Sequence, residues 1–187
     1  MITIVSGLPR SGTSLMMQML SAGGMPVLSD GERQSDLDNP RGYLEWERIK
    51  QLPKDPSCID QAEGKAVKII SLLLLSLPAG HEYRVIFMQR PLPEVLASQE
   101  VMQHRRGTDK PGADTALVAS GFEKNLRDVD IWLESKSYVK TLRVSYHEVL
   151  RDAEAIANQI SEFLGITLNV AAMAQQVDAT LYRNRDQ

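Results

Sequence analysis

The chain has 187 residues, 43% of them hydrophobic and 24% charged, with a net charge of −3 and a pI of about 5.7. That length buries a proper core in one domain, 1–187. The slightly acidic balance excludes a general nucleic-acid binder, and no apolar run is long enough to span a bilayer, the longest, Ile69–Leu77, being broken by serines.

Ile2 to Val5 is a short, β-branched apolar run and predicts a buried strand. Ser6 to Gly12 is a glycine-bounded loop, and Ser11 to Leu20 predicts a helix with Leu15, Met16, Met19 and Leu20 on one stripe. Strand, glycine loop and helix in that order make an anion site, because the loop's N–H groups and the first helical turn point at one place. Gly7 to Gly12 has the spacing that opens a Walker A loop, G-x-x-x-x-G-K-S/T, but Thr13 stands where the lysine belongs. That lysine normally reaches the β- and γ-phosphates of a nucleoside triphosphate. A cation sits earlier instead, as Arg10, which argues for one phosphate with a guanidinium beside it and against ordinary ATP or GTP hydrolysis. The structural alternative is a degenerate loop that only packs a helix on a sheet. Gly7, Pro9 and Arg10 also interrupt any leading apolar run, so no signal peptide is expected. Cys58 is the only cysteine, which points to a reducing compartment and a cytoplasmic location.

Met25 to Leu28 reads as a short edge strand, and Ser29 to Gly42 as a long polar loop of the kind that carries function. Tyr43 to Gln51 predicts a short helix ended by Pro53 to Pro56. Lys65 to Ile70 is a second buried strand with a helix behind it over Ser71 to Leu77. Arg84 to Gln89 is the clearest later strand, and prolines 91 and 93 open a helix through about Gln103. After a loop from Arg105 to Gly112 comes a long amphipathic helix from Asp114 to about Glu134, with Val118, Phe122, Leu126, Val129 and Leu133 at steps of three and four. Tyr138 to Ser145 is a further strand. A helix follows from about Asp152 to Leu164, with Gly165 as its C′ cap, and Ala171 to Val177 forms a last helical piece.

Strands alternating with helices predict an α/β fold of three layers, a mostly parallel sheet with helices on both faces. Ligands of such sheets bind at the carboxyl ends of the strands. That rule gathers Gly7 onward, Ile70 onward, Arg90 onward and Tyr146 onward at one site.

G-L-P-R-S-G-T-S-L, residues 7–15, resembles the 5′-phosphosulfate loop of the P-loop sulfotransferases that use 3′-phosphoadenosine 5′-phosphosulfate (PAPS), in its bacterial P-R-S-G-T-S form. The resemblance implies that Arg10, Ser11, Gly12, Thr13 and Ser14 bind the 5′-phosphosulfate, with Arg10 also catalytic. R-V-I-F-M-Q-R-P-L-P-E-V-L-A-S resembles the 3′-phosphate segment of the same family, in which an arginine at a strand's end is followed eight positions later by a helical serine. Arg90 and Ser98 hold that spacing, although Arg90-Pro91-Leu92 departs from the family's usual R-D-P. V-S-Y-H-E-V-L resembles the strand whose tyrosine lies near the adenine, here Tyr146. N-P-R-G-Y-L-E resembles a bacterial segment whose glutamate, here Glu45, is the candidate general base; His81, His104 and His147 are alternatives outside any such motif. Lys68 resembles a lysine at the matching strand, with an ordinary strand-edge lysine preferred, and the family-like tail V-D-A-T-L-Y-R-N-R is expected to pack the C-terminus, with closure of Arg183 over the cofactor as the alternative.

The function implied is sulfuryl transfer from PAPS to a hydroxyl or amine of an unidentified small-molecule or peptide acceptor. No metal, nucleic acid or membrane is implied, and a homodimer is allowed. Two rivals stay open: a small P-loop kinase-like phosphotransferase and a non-catalytic nucleotide-binding module.

Overall fold

The computed structural model describes residues 1–36, 39, 42–108 and 115–178. Four strands, β1 (Ile2–Gly7), β2 (Ala66–Lys68), β3 (Tyr83–Gln89) and β4 (Val139–Ser145), form one sheet in the order β2-β1-β3-β4. Every pairing is parallel, with Val5 opposite Lys68 on one side and Ile86 on the other. Parallel pairing requires crossovers, and helices lie in them. They are α1 (Thr13–Ala22), α2 (Ser71–Leu74), α3 (Leu92–Arg106) and α4 (Thr115–Ser135); α5 (Tyr146–Arg151), α6 (Ala153–Leu164) and α7 (Val170–Ala174) follow β4.

The strand alternation sends side chains into two separate cores. Ile4, Val85 and Phe87 face one, closed by α2, α4 and two 3₁₀ turns, Glu47–Gln51 and Pro56–Ala62. Val5, Ile86, Met88 and Val144 face the other, closed by α1, α5, α6 and α7. This second layer holds six of the eight methionines: 16, 17, 19, 25, 88 and 173. The three-layer expectation therefore holds.

Local differences have local causes. Met17 is fully buried on α1, whereas Leu15 is only partly buried against the same core. Met25 to Leu28 contributes only a bridge, Val27 to Ala66, since Pro26 offers no N–H to a ladder. The helix expected from Tyr43 shrinks to the 3₁₀ turn at Glu47; Gly42 and Leu44 both take positive φ, which helical backbone forbids, and Glu45 and Trp46 stay outside it. Behind β2 only Ser71–Leu74 is α-helical. A helix absent from the expectation, α5, starts directly at Tyr146, capped by the Ser145 hydroxyl. Gly165 does close α6 in the left-handed conformation.

Gly7 ends β1 at φ 148°, where an added Cβ would lie 2.6 Å from the Met88 carbonyl oxygen and 2.5 Å from Ser11 Oγ. Neither the carbonyl nor the loop can yield without breaking the β1–β3 register. Gly7→Ala is therefore expected to lower stability by about 2–4 kcal/mol, strain and overpacking together. Chemical denaturation checks this against Gly64→Ala, also at positive φ but with no heavy atom within 4 Å of the new Cβ. Equal losses would show that backbone strain alone acts at Gly7.

Candidate functional site

A cleft of about 400 Å³ opens at the carboxyl ends of the strands. Its walls come from the loop after β1, the ends of β2 and β3, α3, the first residue of α5 and the segment carrying Arg33, Tyr43 and Glu45. Of the residues singled out in the sequence, Arg10, Gly12, Thr13, Ser14, Glu45, Arg90, Ser98 and Tyr146 all line it. Ser11 lies within the same loop but is 1% exposed.

The loop is built for a close anionic guest. No side chain caps α1, and its first turn carries no acidic residue, so the N-terminal N–H groups keep their positive dipole end uncompensated by protein charge. The Ser11 hydroxyl is buried without a hydrogen-bond partner, and a buried orphan of this kind calls for an explanation such as a missing ligand. Gly12, at φ 98°, lets the loop lie against the Tyr146 ring, which an added Cβ would meet at 2.5 Å. Burial pushes the Tyr146 phenol above its ordinary range, against the pull of Arg90 and Arg10, so the ring stays neutral.

Two charged clusters flank the loop. In the first, Lys68 Nζ donates to Ser14 Oγ at 3.0 Å and to Glu45 Oε1 at 2.8 Å. Glu45 also accepts from Arg33 Nη1 at 2.8 and 2.9 Å, and the Arg33 guanidinium lies 3.5 Å from the centre of the Tyr43 ring. The Tyr43 hydroxyl in turn donates to Asp36 at 2.7 Å. Burial raises the proton affinity of Glu45, but Lys68 and Arg33 together outweigh it and hold the carboxyl below its usual range. Burial pushes the Lys68 ammonium below its ordinary value despite Glu45 beside it. At 7% exposure and with two partners in the cleft, Lys68 is not the ordinary strand-edge lysine expected. It brings an ammonium to Ser14, next to the position where the Walker lysine is missing.

In the second cluster, Arg10 Nε donates to Ser98 Oγ at 3.0 Å. Arg90 donates from Nε to Glu94 at 2.8 Å and from Nη1 to the Arg10 carbonyl at 3.1 Å, and its guanidinium lies 4.9 Å from the centre of the Tyr146 ring. Arg90 and Ser98 thus meet at the cleft as expected, but Arg10 joins them.

The histidines divide. His147 lies 2.9 Å from Glu94, whereas His81 pairs with Asp60 and Glu63 beside the N-terminus. His104 lies on α3 and is not among the cleft residues. Arg33 and Glu94 were missed in the sequence. Glu94 had a readable signal, its i,i+4 spacing from Arg90; Arg33 sits in an irregular loop that no periodicity describes. Arg183 falls outside the described residues. Among the described residues, no group of three or more His, Cys, Asp or Glu could hold a metal ion, and no helix is long and apolar enough to cross a membrane.

A family model described as "Sulfotransferase domain" matches residues 2–185. Among solved structures, the fold is similar to one titled "Sulfotransferase Domain from the Curacin Biosynthetic Pathway", with a TM-score of 0.56 and 15% identity over 95% of this chain and 77% of that one. That likeness concerns the fold. A comparison with curated proteins found no match.

Proposed function

Since the chain belongs to the sulfotransferase family, we propose that its cleft moves a sulfuryl group from PAPS to a hydroxyl or amine acceptor. The observation that carries this reading is the loop itself: Thr13 in place of the Walker lysine, Arg10 inside the loop, and Lys68 at Ser14. A nucleoside triphosphate needs a cation at its outer phosphates. A phosphosulfate needs cations where charge develops during transfer, on the bridging and sulfonate oxygens.

When bound, the donor supplies an activated sulfuryl group. The loop amides of Ser11, Gly12, Thr13 and Ser14 and the orphan Ser11 hydroxyl would hold its 5′-phosphate. Arg90 and Ser98 would hold its 3′-phosphate, and Tyr146 would border its adenine. Arg10 and Lys68 would stabilise the departing charge. Glu45, ionised at neutral pH because Lys68 and Arg33 neighbour it, would take the acceptor's proton. A carboxylate this weakly basic accepts the proton late, once the new bond to sulfur has made the nucleophile acidic. The acceptor, a small molecule or a peptide, would lie against the apolar part of the cleft wall at Trp46, Ile49, Leu73 and Met102. The single Cys58 suits the cytoplasm.

Calorimetry with adenosine 3′,5′-bisphosphate is the direct test. Binding is expected without magnesium and more tightly than ATP, by roughly tenfold for one charge-assisted contact to the 3′-phosphate. Magnesium-dependent ATP binding that is the tighter of the two would sink this reading and favour a phosphotransferase. Turnover of PAPS with an acceptor separates an enzyme from a module that only binds.

A further inference from the structure

Glu94 stands four residues after Arg90 at the start of α3 and is 4% exposed. A carboxylate so deeply buried requires partners that repay its lost hydration. One is Arg90, whose own side chain is 7% exposed and whose Nε donates at 2.8 Å. Another is His147 at 2.9 Å, from the start of α5. Glu94 thereby holds Arg90 at Nε, and the same guanidinium delivers Nη1 to the Arg10 carbonyl at 3.1 Å.

Arg10 has φ 69°, one of two non-glycine residues in the left-handed region among those described. Such a conformation persists only where its surroundings over-determine it. A carbonyl gripped by a buried, oriented guanidinium is a determinant of this kind. From that conformation the Arg10 side chain reaches Ser98. The contacts therefore run in series: Glu94 orients Arg90, Arg90 holds the Arg10 backbone, and the Arg10 backbone aims the Arg10 guanidinium across the cleft.

We propose that Glu94 is a positioning residue that fixes the phosphate-binding loop through Arg90. Its catalytic consequence rests on the sulfuryl-transfer reading; its effect on the loop does not. Glu94→Gln keeps the volume and one accepting oxygen but removes the charge that orients the guanidinium. Hydrogen exchange at the amides of residues 10–14 should quicken about tenfold relative to Ile4 and Ile86 in the sheet, local opening being separable from global unfolding. With a working acceptor, kcat and the affinity for adenosine 3′,5′-bisphosphate should both fall about tenfold, because Glu94 supports the loop that would hold the 5′-phosphate and the arginine that would hold the 3′-phosphate, while exchange at Ile4 and Ile86 stays at the wild-type rate. If Glu94→Gln does not fold, Glu94→Asp, which keeps the buried charge but draws it back by one methylene, carries the same comparison. Loop amides that exchange at the wild-type rate overturn the proposal, as does a wild-type kcat in a variant with a loosened loop. If the unmodified protein transfers no sulfuryl group, the functional reading fails, and the exchange measurement alone decides the role of Glu94.

Discussion

Glu45→Gln will lower sulfuryl turnover by roughly 10²–10⁴, the scale of general base catalysis, and leave the affinity for adenosine 3′,5′-bisphosphate unchanged. Glutamine retains an oxygen for Lys68 and Arg33 but cannot take a proton. The pH dependence of the unmodified protein supplies an independent check. The carboxyl lies below its ordinary value of 4.5 because two cations outweigh the effect of burial. Turnover limited by this group should show its acid half-point below 4.5. The sign for stability agrees: with the folded value depressed, the Glu45 contribution is complete above 4.5 and lost as pH falls through the lower, folded value. A variant that turns over near the wild-type rate would move the base elsewhere. An acid limb at or above pH 5 would point to a different titrating group.

Arg10→Ala should reduce turnover by about 10²–10³, the cost of losing one preorganised donor to developing charge. Affinity for the bisphosphate should fall far less, because that product has no sulfonate. Alanine at φ 69° adds backbone strain of its own. Arg10→Gly removes the guanidinium without that strain and should match the alanine variant in turnover while melting at a similar or higher temperature. Equal losses in turnover and bisphosphate affinity would reduce Arg10 to a phosphate ligand.

Much of this arrangement was legible because it is local. β1, its glycine loop and α1 are contiguous, although the backbone carbonyl of Met88 and the ring of Tyr146 that demand glycine at positions 7 and 12 come from far along the chain. The parallel-sheet rule then placed Arg90 and Tyr146 at the same edge without any knowledge of distances. What stayed hidden depends on pairs far apart in sequence. Lys68 looks like any strand lysine until Ser14 and Glu45 close on it from 54 and 23 residues away. Glu45 looked like a helix residue, and only the positive φ at Gly42 and Leu44 shows why its segment leaves the helical path and turns toward the cleft. Arg10 and Ser98 were each assigned to a phosphate, yet nothing in either motif says that they bond to each other across 88 residues.

The methionine layer has a practical side. Its six sulfur atoms are all within side chains 7% exposed or less, and Met88 touches the loop region from below. Thioether side chains are flexible, and close packing on every side immobilises them. Selenomethionine protein would therefore carry six ordered anomalous scatterers in one layer, Met88 among them beside the phosphate loop. Crystallographic phases from those atoms would describe the loop and any donor lying on it without reference to a related structure.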